Sequence, residues 1–184
     1  MMAFTQSRLS SKRFDHVKRV VDTVHSIAKA QGLDLEAARI SAWLQDSAKE
    51  ESKADFKQLV ESGKIQIDEE TLQTPKLWHG YHAAYWGQER FGIDNIGLLD
   101  AVRFHPTGDT GLNDYGHALF VADYCEPGRG LPHTEEIVEI AKKDLVTAAL
   151  SVIERKIEYI QGKGKNPHSR SVAYRNWLAQ GHNN

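Results

Sequence analysis

Cysteine is almost absent: the 184 residues contain one, Cys125. That excludes an internal disulfide framework and a thiolate-rich zinc site, and it fits a reducing compartment. No stretch approaches the roughly 18–20 consecutive apolar residues that a membrane-spanning helix needs. The opening MMAFTQSRLSSKR has no apolar run of signal-peptide length either, so a cytoplasmic protein is expected. A dominant charge sign is also lacking, since 23 basic residues meet 25 acidic ones for a net −2. Such a balance argues against a nucleic-acid polymer or a membrane surface as partner. There is no internal repeat, no low-complexity block and no good run of period-two alternation that would mark strands.

What is present is histidine, nine of them. With so few thiols, these are the ligands for a His/carboxylate metal site. The length fits a single domain at roughly 100–200 residues per domain, with a core that needs no disulfides. We expect a lead-in at 1–9, frayed, followed by one all-α domain over 10–180.

Helical spacing runs from Ser10 to Gln31 through Phe14, Val17, Val20, Val21, Val24 and Ile27, and Gly32 is a natural stop. Asp34 is expected to cap a second helix reaching Ala48. Residues 52–73 read as a polar surface excursion with short amphipathic pieces. Pro75 suits the first turn of a helix to about Phe91. Asp94 is expected to cap the next, which ends near His105-Pro106. After a loop at 107–113, a helix starts at Asp114, and 125–133 is loop. One long helix is expected from Thr134 to about Ile160, and a last one ends through Trp177 and Leu178.

Five chemistry-bearing positions fall on five of these helices: His16, Asp46 beside Gln45, His79, His105 and Asp123. A helical bundle can point such side chains into one interior pocket, and imidazoles with carboxylates suit Fe, Mn, Zn or Co. The spacing alone is a weak signal, because no pair has the local H-E-x-x-H arrangement. A lone His16 on an apolar face is more often a hydrogen-bonded core residue than a ligand. Asp46 and Asp123, however, stand at helix C-termini, where the dipole disfavours a carboxylate, so a compensating cation is expected. His82 shares a helix face with His79 and is a second candidate for the same pocket. His25, His117, His133, His168 and His182 read as surface or packing residues.

The order His16, Gln45-Asp46, His79, His105, Asp123 resembles the HD superfamily of metal-dependent phosphohydrolases. More narrowly, the chain resembles the bacterial HD-domain hydrolases that cleave dinucleoside tetraphosphates symmetrically. The likeness runs from Ser10 to Leu178 on the pieces RFDH (13–16), AWLQDSAK (42–49), HG (79–80), AVRFHPTG (101–108), VADYCEPGR (121–129) and NPHSRSVAYRN (166–176). The A-D-x-x-E-P-x-R block is far more specific than the scattered HD pattern.

The resemblance implies a helical bundle of the HD type and an enzyme. His16, Gln45, Asp46 and Asp123 would hold a first ion. Asp46, His79 and His105, the implied catalytic residues, would surround a second ion or the phosphates. Asp46 would bridge if two ions are present. The metal it implies is iron, with Mn, Co or Zn as chemical alternatives. Nucleotide and phosphate contacts are implied for Arg13, Lys49, His79, His105, Pro106, Arg129, Asn166, His168 and Arg170. The implied reaction is cleavage of diadenosine tetraphosphate to two ADP by hydroxide generated on metal-bound water. A related dinucleoside polyphosphate, or an ADP-like nucleotide, would suit the same cations. The family pattern wants His where this chain has Gln45, and an amide oxygen is a weaker transition-metal ligand than imidazole. The alternative is therefore a catalytically weakened HD module that binds nucleotide or regulates. The aromatics Trp78, Tyr81, Tyr85 and Trp86, read as exposed, are compatible with a homodimer.

Overall fold

The computed structural model describes residues 1–181, so His182 lies outside the described residues. Among them there are eleven α-helices and no strand, as expected for the all-α class. They are α1 (Met2–Arg8), α2 (Ser11–Gln31), α3 (Leu35–Leu44), α4 (Lys53–Glu61), α5 (Glu69–Leu72), α6 (Trp78–Phe91), α7 (Ile96–Phe104), α8 (Asp114–Cys125), α9 (Thr134–Ala141), α10 (Leu145–Gly162) and α11 (Ser169–Ala179). Short 3-10 turns at Pro75–Leu77 and Pro127–Arg129 precede α6 and follow α8. No helix of the described residues is long and apolar enough to cross a membrane.

The centre of the bundle is α8. Its run Gly116–Asp123 is buried all round, which is how a helix without a polar face must sit. Helices α2, α3, α7, α9 and α10 pack around it. Phe120 and Leu119 of α8 meet Val17, Val20 and Ile27 of α2, Val152 and Ile153 of α10 and Tyr174 of α11 in one continuous core.

Several expectations are corrected. The lead-in is helical: Phe4 packs edge-on against Trp86, and the Thr5 hydroxyl donates to the Trp43 carbonyl at 2.8 Å. The second helix stops at Leu44 instead of Ala48, and the chain continues as buried tight turns through Gln45, Asp46 and Ser47. Asn95, not Asp94, caps α7, its side chain accepting from the Leu98 N–H at 3.1 Å. The long C-terminal helix is two, because Asp144 caps a new start by accepting from the Thr147 N–H at 3.0 Å. The excursion at 52–73 sinks Phe56 and Ile65 against Trp78 and Tyr81. Trp78, Tyr81 and Trp86 are therefore buried, and Tyr85 is half-buried, so these rings form no exposed aromatic face.

Candidate metal centre

Five elements bring the expected residues to one place. The turn after α3 carries Asp46. Helix α2 carries His16, the start of α6 His79, the end of α7 His105 and the last turn of α8 Asp123. The approach of α6 to α7 is made possible by Gly80, where a Cβ would lie 2.5 Å from the Arg103 carbonyl oxygen. That contact sets His79 Nε2 3.2 Å from His105 Nε2. His105 is oriented by the Val102 carbonyl, 2.7 Å from its Nδ1.

Asp46, 2% exposed, is the junction. Its Oδ1 faces His79 Nε2 at 3.2 Å, His105 Nε2 at 3.7 Å and Lys49 Nζ at 3.6 Å. Its Oδ2 faces Arg13 at 3.1 Å and His16 Nε2 at 3.6 Å. His16 Nε2 also lies 3.2 Å from Asp123 Oδ1. One carboxylate thus serves two sets of ligand atoms. One atom from each of Asp46, His79 and His105 lies within 4.8 Å of the others, and this is the one such convergent group among the described residues. His16 and Asp123 stand beside it on the Oδ2 side. Asp123 is also held by Arg129 at 2.6 Å.

The electrostatics follow from this crowding. Burial opposes charge on Asp46, but hydrogen bonds from His105 and His79 and the Lys49 charge outweigh it and hold the carboxyl well below the usual range. Asp123 is likewise lowered against its burial, by His16 and Arg129. Burial works against a charge on His16 as well, yet Asp123, Glu126 and Asp46 together raise it. His79 goes the other way: burial dominates and pushes it down to about 4.

The group suits a divalent ion. Nε2 of His16 faces two carboxylate oxygens, and both side-chain amide atoms of Gln45 are buried with no hydrogen-bond partner among the described residues. Buried polar atoms are rarely left so, and an ion is one of the ordinary explanations. The imidazoles and carboxylates are donors that Fe, Mn, Co or Zn accept.

Other expected residues fall at or away from this centre. Lys49 Nζ sits 3.0 Å from His79 Nε2. The Pro106 carbonyl accepts from Lys156 at 2.8 Å. Arg170 is engaged elsewhere, with Asp109 at 2.6 Å and Asp68 at 3.1 Å. His168 caps α11 and lies 3.1 Å from the Thr71 hydroxyl, while Asn166 is exposed. The contacts of His168 and Arg170 thus run to the α5 region and Asp109, not to the Asp46 cluster. His82 is buried and packs on Trp86 at 4.4 Å between ring centroids, outside the convergent group.

Three side chains beside the centre, Glu126, Arg19 and Lys156, were not singled out in the sequence. Glu126 lies 3.0 Å from His16 Nδ1, and Arg19 pairs with its other oxygen. It is the E of the A-D-x-x-E-P-x-R block, so its signal was in view without a role. Gly128 of the same block leaves room for the Arg19 guanidinium, which a Cβ would strike. Lys156 lies over the Phe120 ring at 4.4 Å, and burial pushes its ammonium down to about 8. Its signal was a lysine in the apolar stripe of Val152, Ile153 and Ile157.

No protein-family model matches the chain. A protein of Bacillus subtilis (strain 168) named symmetrical bis(5'-nucleosyl)-tetraphosphatase is 30% identical over 183 residues, 98% of this chain and 96% of that one. One of the same name from Halalkalibacterium halodurans is 29% identical over 96% of this chain and 94% of its own. The crystal structure of a predicted HD superfamily hydrolase involved in NAD metabolism, from Clostridium acetobutylicum, superposes with a TM-score of 0.90 at 27% identity, covering 98% of this chain and 96% of that one.

Proposed function

This chain belongs to the symmetrical bis(5'-nucleosyl)-tetraphosphatase family of HD hydrolases, and from that premise we propose that it hydrolyses diadenosine tetraphosphate to two ADP. The observation that carries the reading is the convergence of Asp46, His79 and His105 at the junction of two ligand sets. Water adds to a phosphorus of the central P–O–P bridge, the bridging P–O bond breaks, and each half leaves as ADP.

We assign His16, Gln45, Asp46 and Asp123 to one divalent ion, and Asp46, His79 and His105 to a second ion or to the phosphates. Iron is our choice of metal, on the family resemblance. A bound divalent ion activates water near neutral pH and offsets phosphate charge. The chain itself supplies the rest. Arg13 and Lys49 flank Asp46 from opposite oxygens, so an anionic bridge lying across the cluster meets a cation on each side. Arg129, anchored on Asp123, adds a planar donor set suited to phosphate oxygens. Glu126 fixes the ring of His16 so that Nε2 faces the carboxylates. Asn166, Pro106, His168 and Arg170 are assigned to the nucleotide on resemblance alone.

Elemental analysis of the purified protein, with product identification from diadenosine tetraphosphate, tests this reading. We expect bound iron and ADP as sole product. Metal-free protein that makes no ADP when Fe or Mn is supplied would sink it, and ATP plus AMP would overturn the symmetrical cleavage.

A second reading rests on Gln45, whose buried amide has no partner where the family resemblance wants His. It is a nucleotide-binding module with weakened turnover. The substitution Gln45→His separates the two: a large gain in metal content and rate favours a weakened centre, and no change in either places Gln45 outside the metal shell.

A further inference from the structure

Beside the cluster, a cleft of about 320 Å³ opens between the turn after α3, the start of α4 and the start of α6. Lys49 and His79 belong to its lining, so the cleft is continuous with the Oδ1 side of Asp46. Further out stand Lys53 and Lys76, both exposed, and neither forms an ion pair among the described residues. Two rings, Phe56 and Trp78, form an apolar wall, stacked with centroids 4.8 Å apart and planes 15° from parallel. The Trp78 indole is pinned by donating to the Thr71 carbonyl at 3.1 Å, so the wall is rigid. His82 completes it, and burial holds its pKa at about 4, so it is neutral at pH 7.

Three lysines outnumber the one carboxylate of the lining, Glu51, which Arg8 already pairs at 3.1 Å. These lysines and the aromatic wall are what a phosphate chain ending in a flat base would meet. The volume lies at the low end of the roughly 300–1,000 Å³ typical of small-molecule sites, which is room for one nucleotide and not for two. The substrate has two identical halves joined through the point of cleavage, and Asp46 has two faces. Arg13 lies on the Oδ2 face and Lys49 on the Oδ1 face.

We propose that this cleft seats one nucleoside diphosphate half of the substrate, with Lys49, Lys53 and Lys76 on its phosphates and the Phe56–Trp78 wall beside its base. The inference rests on the functional reading above and adds where one half lies. The other half then extends on the Oδ2 side, towards Arg13 and Arg129.

The test is the metal-loaded double variant Lys53→Ala/Lys76→Ala of the full chain, beside Lys29→Ala/Lys143→Ala as a control that removes equal charge elsewhere. We expect KM for diadenosine tetraphosphate to rise about tenfold with kcat nearly unchanged, the pattern of lost ground-state binding. Equilibrium binding of ADP should fall from two per chain in the wild type to one in the double variant. Since both side chains are exposed and unpaired, the fold is expected to survive, and circular dichroism checks this; Lys76→Glu alone should raise KM in the same direction. Wild-type KM and two bound ADP in the double variant would overturn the subsite. So would a single ADP on the wild type, or an equal rise of KM in the control. Wild-type protein that makes no ADP at all would instead overturn the functional reading, and the subsite would fall with it.

Discussion

His105 and His117 are both sealed from solvent, at 2% and 1% exposure, yet their neighbours differ in kind. His105 faces another imidazole and the Asp46 carboxylate, with its second nitrogen on a backbone carbonyl. His117 shares a 2.7 Å hydrogen bond with the Tyr174 hydroxyl and stacks on Tyr174 and Trp177. Among the described residues no carboxylate pairs with it, and burial alone pushes it down to about 4. Burial therefore does not distinguish a candidate ligand from a core histidine. What distinguishes them is the carboxylate across from the ring, and a nitrogen set among other ligand atoms instead of on a hydroxyl.

The largest expected break between the two regions is at Asp46. Asp46→Ala removes the charge that both ligand sets share, and we expect hydrolysis to fall by about 10²–10³-fold or more. Metal content should fall with it. His117→Gln should leave the rate per folded molecule within about twofold. Initial rates and elemental analysis on both variants check the pair. Equal losses of activity would erase the distinction.

The second expected effect belongs to the aromatic region and appears in stability. His117 titrates near 6.5 in the unfolded chain and about 4 in the folded one. Above pH 6.5 the ring is neutral in both states and stability is intact. As pH falls from 6.5 to 4 the unfolded chain takes up a proton that the folded chain refuses, so stability is lost. The loss amounts to about 3 kcal/mol across that window. Urea unfolding of the wild type and of His117→Gln at pH 7 and pH 4 should show a smaller decline in the variant. His79 and His82 are depressed by burial in the same window, so the wild-type slope should not vanish completely in the variant.

The two regions were also unequally legible in the sequence. The sequence located α2, α6, α7 and α11 by apolar residues at helical spacing and α8 by its continuous apolar run, and α7, α8 and α11 have a capping side chain at the start. Helical spacing missed the break between α9 and α10, since Ile137, Ala141, Leu145, Ala148 and Val152 keep one stripe in phase across the gap. Only the Asp144 cap marks the new start. It missed α1 because seven residues carry little periodicity; that helix is held by Trp43 and Trp86, which are distant in the chain. The ordered series from His16 to Asp123 was visible because the family pattern is written in sequence order. Nothing local shows that Arg170 is taken by Asp68 and Asp109, which lie 102 and 61 residues away. Nor does a local signal show that Trp78, Tyr81 and Trp86 are covered by α1 and the 52–73 excursion, contacts that form only in three dimensions.

The smallest expected effect concerns the groups that hold each histidine in place. Glu126 orients His16 through Nδ1, as the Tyr174 hydroxyl does for His117. The difference is charge: Glu126 is lowered below its usual range against its burial, by Arg19 and His16, and so stays ionised. An ionised partner raises the basicity of the opposite nitrogen, the one that faces Asp46 and Asp123. Glu126→Gln keeps one acceptor oxygen, for the His16 ring or for the Gly128 N–H but not for both, and removes the charge. We expect metal affinity to fall about 10–100-fold, with the helical content unchanged. Tyr174→Phe removes the corresponding partner of His117 and should cost stability without moving metal affinity. Metal titration of both variants decides it: affinity unchanged in Glu126→Gln would mean that Glu126 serves only to anchor Arg19 and the α8 end, as a packing residue would.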